Sequence, residues 1–252
     1  MRWCYARGGE IWGDWACRSD RRGASGTIGR VDFNNLIQTV LVYSLPVLFA
    51  ITVHEAAHGY VARALGDNTA YLMGRVTLNP VSHIDPIGTI VMPLMLYFAT
   101  SGAFLFGYAK PVPVNFGHLR HPKRDMVWVA LAGPASNFLQ AIAWALLYTL
   151  LTGFGVTERF FVEMAKAGIL VNLVMWAFNL FPLPPLDGGR ILVGLLPNRQ
   201  AYALSRVEPY GFFIVLGLVL LGVVSAWWLN PLIQFGYWAV RLLLSPIALL
   251  MH

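Results

Sequence analysis

Long apolar stretches that recur along the chain constrain its fold more than any other feature. A helix needs about 20 mostly apolar residues to cross the hydrocarbon core of a bilayer. Residues 36–53, 127–151, 167–181, 211–229 and 232–250 each read as such a run, and a sixth, 89–101, is short and carries Pro93. One buried core would not use so many. Only 12% of the residues are charged, about half the share usual in soluble domains (roughly 25%). The chain is therefore expected to be an all-α polytopic membrane protein with five to six membrane segments.

The remaining composition excludes other classes. A formal net charge of +6 could point to nucleic acid, but the Lys and Arg stand singly between apolar segments and form no stripe with interleaved aromatics. They read as topology signals, and no nucleic-acid partner is expected. Cys4 and Cys17 both lie near the N-terminus, which leaves no cysteine-based metal site for the rest of the chain. Residues 1–32 hold six Arg and three Trp without a continuous apolar core. They read as a disordered or interfacial tail and not as a signal peptide. Residues 33–252 read as one membrane-embedded domain, with a core over about 36–197 and additional helices over about 211–250.

Within the first apolar run stands ITVHEAAHGY (51–60), which puts His54, Glu55 and His58 on a helix that continues until Gly66-Asp67-Asn68. Residues four apart share one helix face, about 6 Å apart, so His54 and His58 can offer ring nitrogens to one metal ion. This is the HExxH pattern, in which two His bind zinc and the Glu takes a proton from the attacking water. A pair of helix histidines bonded to neighbouring groups is the plainer alternative. Against it, an ionisable side chain inside a membrane helix costs about 3 kcal/mol or more, and three in five residues need a shared purpose.

A catalytic zinc site ordinarily has three protein ligands. No Glu occurs between Glu55 and Glu158, and the extended HExxHxxGxxH form is absent. Asp187 is the better candidate for the third ligand. It is the only acid between Gly168 and Pro197, and it follows a helix broken by Pro182, Pro184 and Pro185. A broken helix at membrane depth is tolerated where it is buried in protein or lines a cavity. Asp187 could instead cap the helix that begins at Gly188, and Asp85, with His83 in a turn-rich loop, is the second choice as ligand.

VHEAAHG (53–59), LNPVSHIDPIGT (78–89), GYAKPVPVN (107–115), AGPASNF (132–138) and NLFPLPPLDGGRI (179–191) together resemble the site-two proteases, the intramembrane zinc metalloproteases of the M50 family. The motifs cover most of residues 50–195 in the family's order. The length resembles the compact branch without a PDZ or regulatory domain. The resemblance implies one zinc ion per chain held by His54, His58 and Asp187, with Glu55 as general base. It implies a polar residue near the substrate carbonyl at Asn179, which could equally make a helix-helix hydrogen bond, and a similar split for Asn137. The extended stretch 106–115 resembles an edge that takes substrate by strand addition, which makes Lys110, Pro111, Val112, Pro113, Val114 and Asn115, with Asn137, candidate substrate-binding residues. The implied substrate is a transmembrane protein in a lipid bilayer, cleaved within or beside its membrane segment. A metal-ion transporter, or a membrane protein that binds metal without catalysis, is the alternative reading.

Topology follows from a parity argument. His58 lies near the C-terminal end of its helix, and Asp187 follows the C-terminal end of another, so an even number of crossings should separate them. Helices 127–151 and 167–181 make two, which predicts that 89–101 is re-entrant or interfacial, part of a small hairpin-like element near the site. Residues 59–126 and 182–209 then share one side and contain nine Lys or Arg, against two in 153–166. The positive-inside rule turns the site toward the cytoplasm, and the short architecture suggests a prokaryotic plasma membrane. The Arg-rich tail then falls on the opposite side, against that rule.

Overall fold

The computed structural model describes residues 33–83, 85–91, 95 and 110–250. Among them the chain forms α1 (Phe33–Ala64), α2 (Thr69–Leu72), α3 (Pro122–Gly153), α4 (Arg159–Asn179), α5 (Asp187–Leu195), α6 (Asn198–Ser205), α7 (Glu208–Leu220) and α8 (Asn230–Leu250), and no strand. Residues 37–64, 122–153, 159–179 and 225–249 are long and apolar enough to cross a membrane. The pair α6 and α7, bent by 67°, adds a fifth crossing if it counts as one span. The protein is a multi-pass all-α membrane protein. Leu41, Phe49, Leu139, Phe213, Trp238 and Leu242 are exposed, as residues facing lipid rather than water would be.

Helix boundaries follow local chemistry. α1 ends where Gly66 takes a φ of 116°. The Gly66 N–H donates to Arg63 O and the Asp67 N–H to Ala62 O, the paired bonds of a helix terminated by a left-handed glycine. α3 opens with Pro122 in its first turn, and the Asp125 carboxylate accepts the His121 N–H at 2.9 Å. This satisfies a donor that the helix start leaves free. α4 stops before Pro182, which has no N–H to give back. The last turn tightens, with the Phe181 N–H donating to Phe178 O, and the Ala177 carbonyl left over accepts the indole N–H of Trp228 at 2.8 Å.

Three glycines let helices pack closely on this break, two at the start of α5 and one in α7. A Cβ on Gly188 would meet the Leu180 carbonyl, one on Gly189 the Leu183–Pro184 peptide, and one on Gly211 the Pro184 carbonyl. α3 is the central helix: it packs along α4 and against α5 and α8. Gly168 of α4 receives the flat face of Trp144. This close fit of helix on ring needs the missing Cβ.

The expected helix 211–229 is corrected. α7 stops at Leu220, Gly222 takes a φ of 75°, and the residues from Ser225 onward lead into α8. Average apolarity runs unbroken through this point because a left-handed glycine changes backbone direction without adding polarity. Helices α3 and α4 also begin five and eight residues earlier than their apolar runs, at Pro122 and Arg159, since polar first turns escape a hydropathy reading. Residues 106–109, and 89–101 apart from 89–91 and Met95, lie outside the described residues. Of the described part, Pro86–Val91 forms one wide helical turn, and Lys110–Asn115 has no regular secondary structure and no ladder partner among the described residues, with Asn115 itself extended.

Candidate metal centre

α1 presents His54 and His58 on one face, and the tuck of α5 brings its first residue, Asp187, to the same point. His54 Nε2 lies 3.1 Å from His58 Nε2. Asp187 Oδ2 lies 3.2 Å from the first and 3.4 Å from the second. All three residues are buried. The helix cap on α5 is Leu186, with no side-chain cap bond, so Asp187 faces the histidines and does not cap its own helix.

Protons decide what this triangle can hold. His58 Nδ1 lies 2.7 Å from the Val129 carbonyl and His54 Nδ1 lies 2.5 Å from Asn137 Oδ1. Both partners are acceptors, so both Nδ1 atoms carry the hydrogen, and both Nε2 atoms are left with lone pairs. Asp187 Oδ2 is buried and has no hydrogen-bond donor. Three acceptors thus converge, an arrangement unfavourable in itself. A proton would serve one pair; a cation serves all three. Ligands at about 2.0–2.1 Å from a tetrahedral zinc stand about 3.3 Å apart, which is the size of this triangle. Gly133 of α3 borders it. A Cβ there would press on His58 Nε2 and lie 2.6 Å from His54 Nε2. The residues present therefore fit zinc, and His54, His58 and Asp187 form a group able to hold a metal among the described residues.

Glu55 is half-buried beside the cluster, and its Oε2 accepts the Val112 N–H at 2.7 Å. The segment that carries Val112 is thus attached directly to the candidate base. Arg75 donates to Lys110 O at 3.0 Å, the Lys110 N–H donates to His83 O, and the Asn115 N–H donates to Asp67 Oδ2 at 2.7 Å. Val112 and Val114 turn inward, Val114 onto Ala62, Leu119 and Val129, while Pro111 and Asn115 are exposed. Gly59 admits this approach: a Cβ there would lie 3.2 Å from Val112 Cγ1.

Asp67 anchors the far end of the segment. Burial raises the energy of its charged form, yet the hydroxyl and N–H of Thr69, the Asn115 N–H and nearby His118 together hold the carboxyl below the usual range.

Other expected residues lie elsewhere. Asn137 is fully buried behind His54, away from any surface that a substrate could reach. Asn115 turns its side chain onto the Gly117 N–H, capping the short turn Phe116–His118. Asn179 donates its amide to Met175 O of its own helix, so stabilising an oxyanion would require a new rotamer. Asp85 accepts from the Ile87 and Gly88 N–H groups, and His83 bonds Thr77 O; neither joins the cluster. The sequence reading missed Asn172, which accepts from Asn137 at 3.1 Å. Its signal was an amide in the middle of the apolar run of α4.

The comparisons agree with this geometry. The chain is 38% identical over 218 residues to the protein of Bacillus subtilis (strain 168) named "Putative zinc metalloprotease YwhC", with 82% of this chain and 91% of that one covered. It is 29% identical over 194 residues to the Mycolicibacterium smegmatis protein "Putative zinc metalloprotease Rip2", covering 76% and 70%. It is 27% identical over 192 residues to stage IV sporulation protein FB of Bacillus subtilis, covering 73% and 63%. No family model and no solved structure matches. A helix-borne pair of metal-facing histidines, a carboxylate delivered by a broken helix and this extent of shared sequence lead to one conclusion: the chain belongs to the site-two protease (M50) family and is a zinc metallopeptidase of the membrane.

Proposed function

We propose that this protein hydrolyses peptide bonds within or beside transmembrane segments of membrane-protein substrates, with one zinc ion per chain held by His54, His58 and Asp187. The observation that carries the reading is the convergence of three buried acceptors beside a half-buried glutamate. Zinc bound there supplies a Lewis acid that polarises the scissile carbonyl and makes water reactive near neutral pH. Glu55 accepts a proton from the attacking water and passes it to the departing amine nitrogen. The Val112 N–H holds Oε2, which leaves Oε1 for the proton.

Substrate binds along Lys110, Pro111, Val112, Pro113, Val114 and Asn115. The Val114 backbone makes no hydrogen bond among the described residues, so it can pair with an extended peptide. A transmembrane helix keeps its carbonyls in internal bonds and must unwind before attack; an open strand edge offers replacement partners. The site opens toward the cytoplasm of a prokaryotic plasma membrane, a reading supported by the nine basic residues of 59–126 and 182–209. A transporter would need further ligand sites along a path, and the metalloprotease relatives favour hydrolysis.

Co-expression with single-pass membrane substrates tests this. Cleavage by the intact chain, abolished in Glu55→Gln and Asp187→Ala, is expected. Equal cleavage by all three proteins would end the reading.

A further inference from the structure

We propose that Asn172 is a positioning residue for the metal centre: acting through Asn137, it fixes His54 in the tautomer whose Nε2 can take a metal. The inference deepens the zinc reading above and rests on it.

An amide side chain is nearly symmetric in shape but not in its hydrogen bonding. A flip of Asn137 by half a turn would put its NH₂ against His54 Nδ1. That nitrogen would then have to accept, and the ring hydrogen would move to Nε2. A hydrogen on Nε2 points into the triangle with His58 and Asp187 and closes that ligand position. The orientation of Asn137 therefore decides whether His54 can bind a metal at all.

Two acceptors set that orientation. Asn137 Nδ2 donates to Ala50 O at 3.2 Å and to Asn172 Oδ1 at 3.1 Å. Asn172 is in turn oriented by its own Nδ2, which donates at 2.9 Å to Gly168 O, the carbonyl one turn back in α4. A backbone carbonyl cannot flip. Direction thus reaches Asn137 from two fixed carbonyls, from Ala50 O directly and from Gly168 O through Asn172, and the loss of Asn172 leaves a single bond to hold the amide that faces His54. Both asparagines are fully buried, so no water competes; a flipped Asn137 would set its oxygen against two acceptors, and a flipped Asn172 would set donor against donor at Asn137 and acceptor against acceptor at Gly168 O. His58 differs: its Nδ1–H bonds directly to the Val129 carbonyl and needs no relay.

This asymmetry gives a test that a merely structural role of Asn172 does not pass. Histidine is labelled with ¹⁵N in the Glu55→Gln protein, stripped of zinc in detergent micelles at mildly alkaline pH, and the tautomers are read from two-bond ¹H–¹⁵N spectra. His54 and His58 are both expected as Nδ1–H in the parent. In Asn172→Leu, His54 is expected to become a mixture of tautomers while His58 stays unchanged. Zinc affinity, measured by chelator competition, should fall about tenfold, the usual effect of losing an outer-shell partner. Asn172→Ala serves as a second variant should leucine not fold. Thr149→Val, which deletes a buried hydroxyl bonded to Ala145 O, should leave both readouts alone. An unchanged His54 tautomer with parental zinc affinity in a folded Asn172 variant overturns the proposal, as does an equal disturbance of His58. A parent that binds no zinc refutes the metal reading instead, and the relay with it.

Discussion

Gly133→Ala is the sharpest perturbation of the centre, because helix physics and site physics pull in opposite directions. In the middle of α3, alanine favours the helix by about 0.8–1.0 kcal/mol over glycine. The added Cβ, however, lies 2.6 Å from His54 Nε2, about 0.9 Å inside the ordinary contact distance of about 3.5 Å. Relief requires the two imidazoles to move by a comparable amount, which takes their Nε2 atoms out of the bonding distance of about 2.0–2.1 Å to a shared zinc. Overpacking of this kind costs about 1–3 kcal/mol, so net stability should fall by no more than about 2 kcal/mol once the helix gain is counted. Zinc affinity should fall at least a hundredfold, equivalent to about 2.7 kcal/mol. Metal content and chelator competition measure the second quantity; unfolding in detergent followed by helical circular dichroism measures the first. A folded Gly133→Ala protein with parental zinc affinity would show that the space between α1 and α3 is not where the metal sits.

Glu55→Gln should keep full zinc content and lose roughly a hundredfold or more in turnover, since only the proton relay is removed; metal analysis alongside a cleavage assay checks both halves. Val112→Pro deletes the N–H that holds Glu55 Oε2 in a segment already flanked by prolines. It should keep zinc while kcat falls about tenfold, the equivalent of about 1.4 kcal/mol for one hydrogen bond to a charged acceptor. Asp67→Asn should cost about 2 kcal/mol at neutral pH, because a charged acceptor of three donors becomes a neutral one. The Asp67 carboxyl is lowered in the folded protein, so its contribution is complete above the usual carboxylate range and disappears as pH falls through its own depressed value. The stability difference between Asp67→Asn and the parent should therefore shrink on acidification, as denaturation at pH 7 and pH 3 would reveal.

Much of this was legible from the sequence because the physics is local. Apolar length marked most of the membrane helices, and the four-residue spacing of His54 and His58 on one helix marked two of the three corners of the candidate metal triangle. Asp187 was reachable because an acid after three prolines in an apolar region has few other uses. What escaped depends on contacts made between elements. The sequence left Asn137 open between a role at the substrate and a helix-helix hydrogen bond, and only the packing of α3 on α1 and α4 gives it the second, behind His54. The role of Asn172 depends on α3 and α4 lying side by side, which no local pattern reveals. The bond from Val112 to Glu55 joins residues 57 apart in the chain and uses a backbone group, which leaves no mark in composition. Gly222 shows the same limit, for its left-handed turn splits an apolar run that hydropathy reads as continuous.

The most direct test of the account is the metal itself. Purified protein should contain one zinc per chain, with X-ray absorption showing two imidazole nitrogens and carboxylate oxygen at about 2.0–2.1 Å, and Asp187→Ala should lose it. Zinc retained at full occupancy in Asp187→Ala, or bound through a different ligand set, would contradict the assignment.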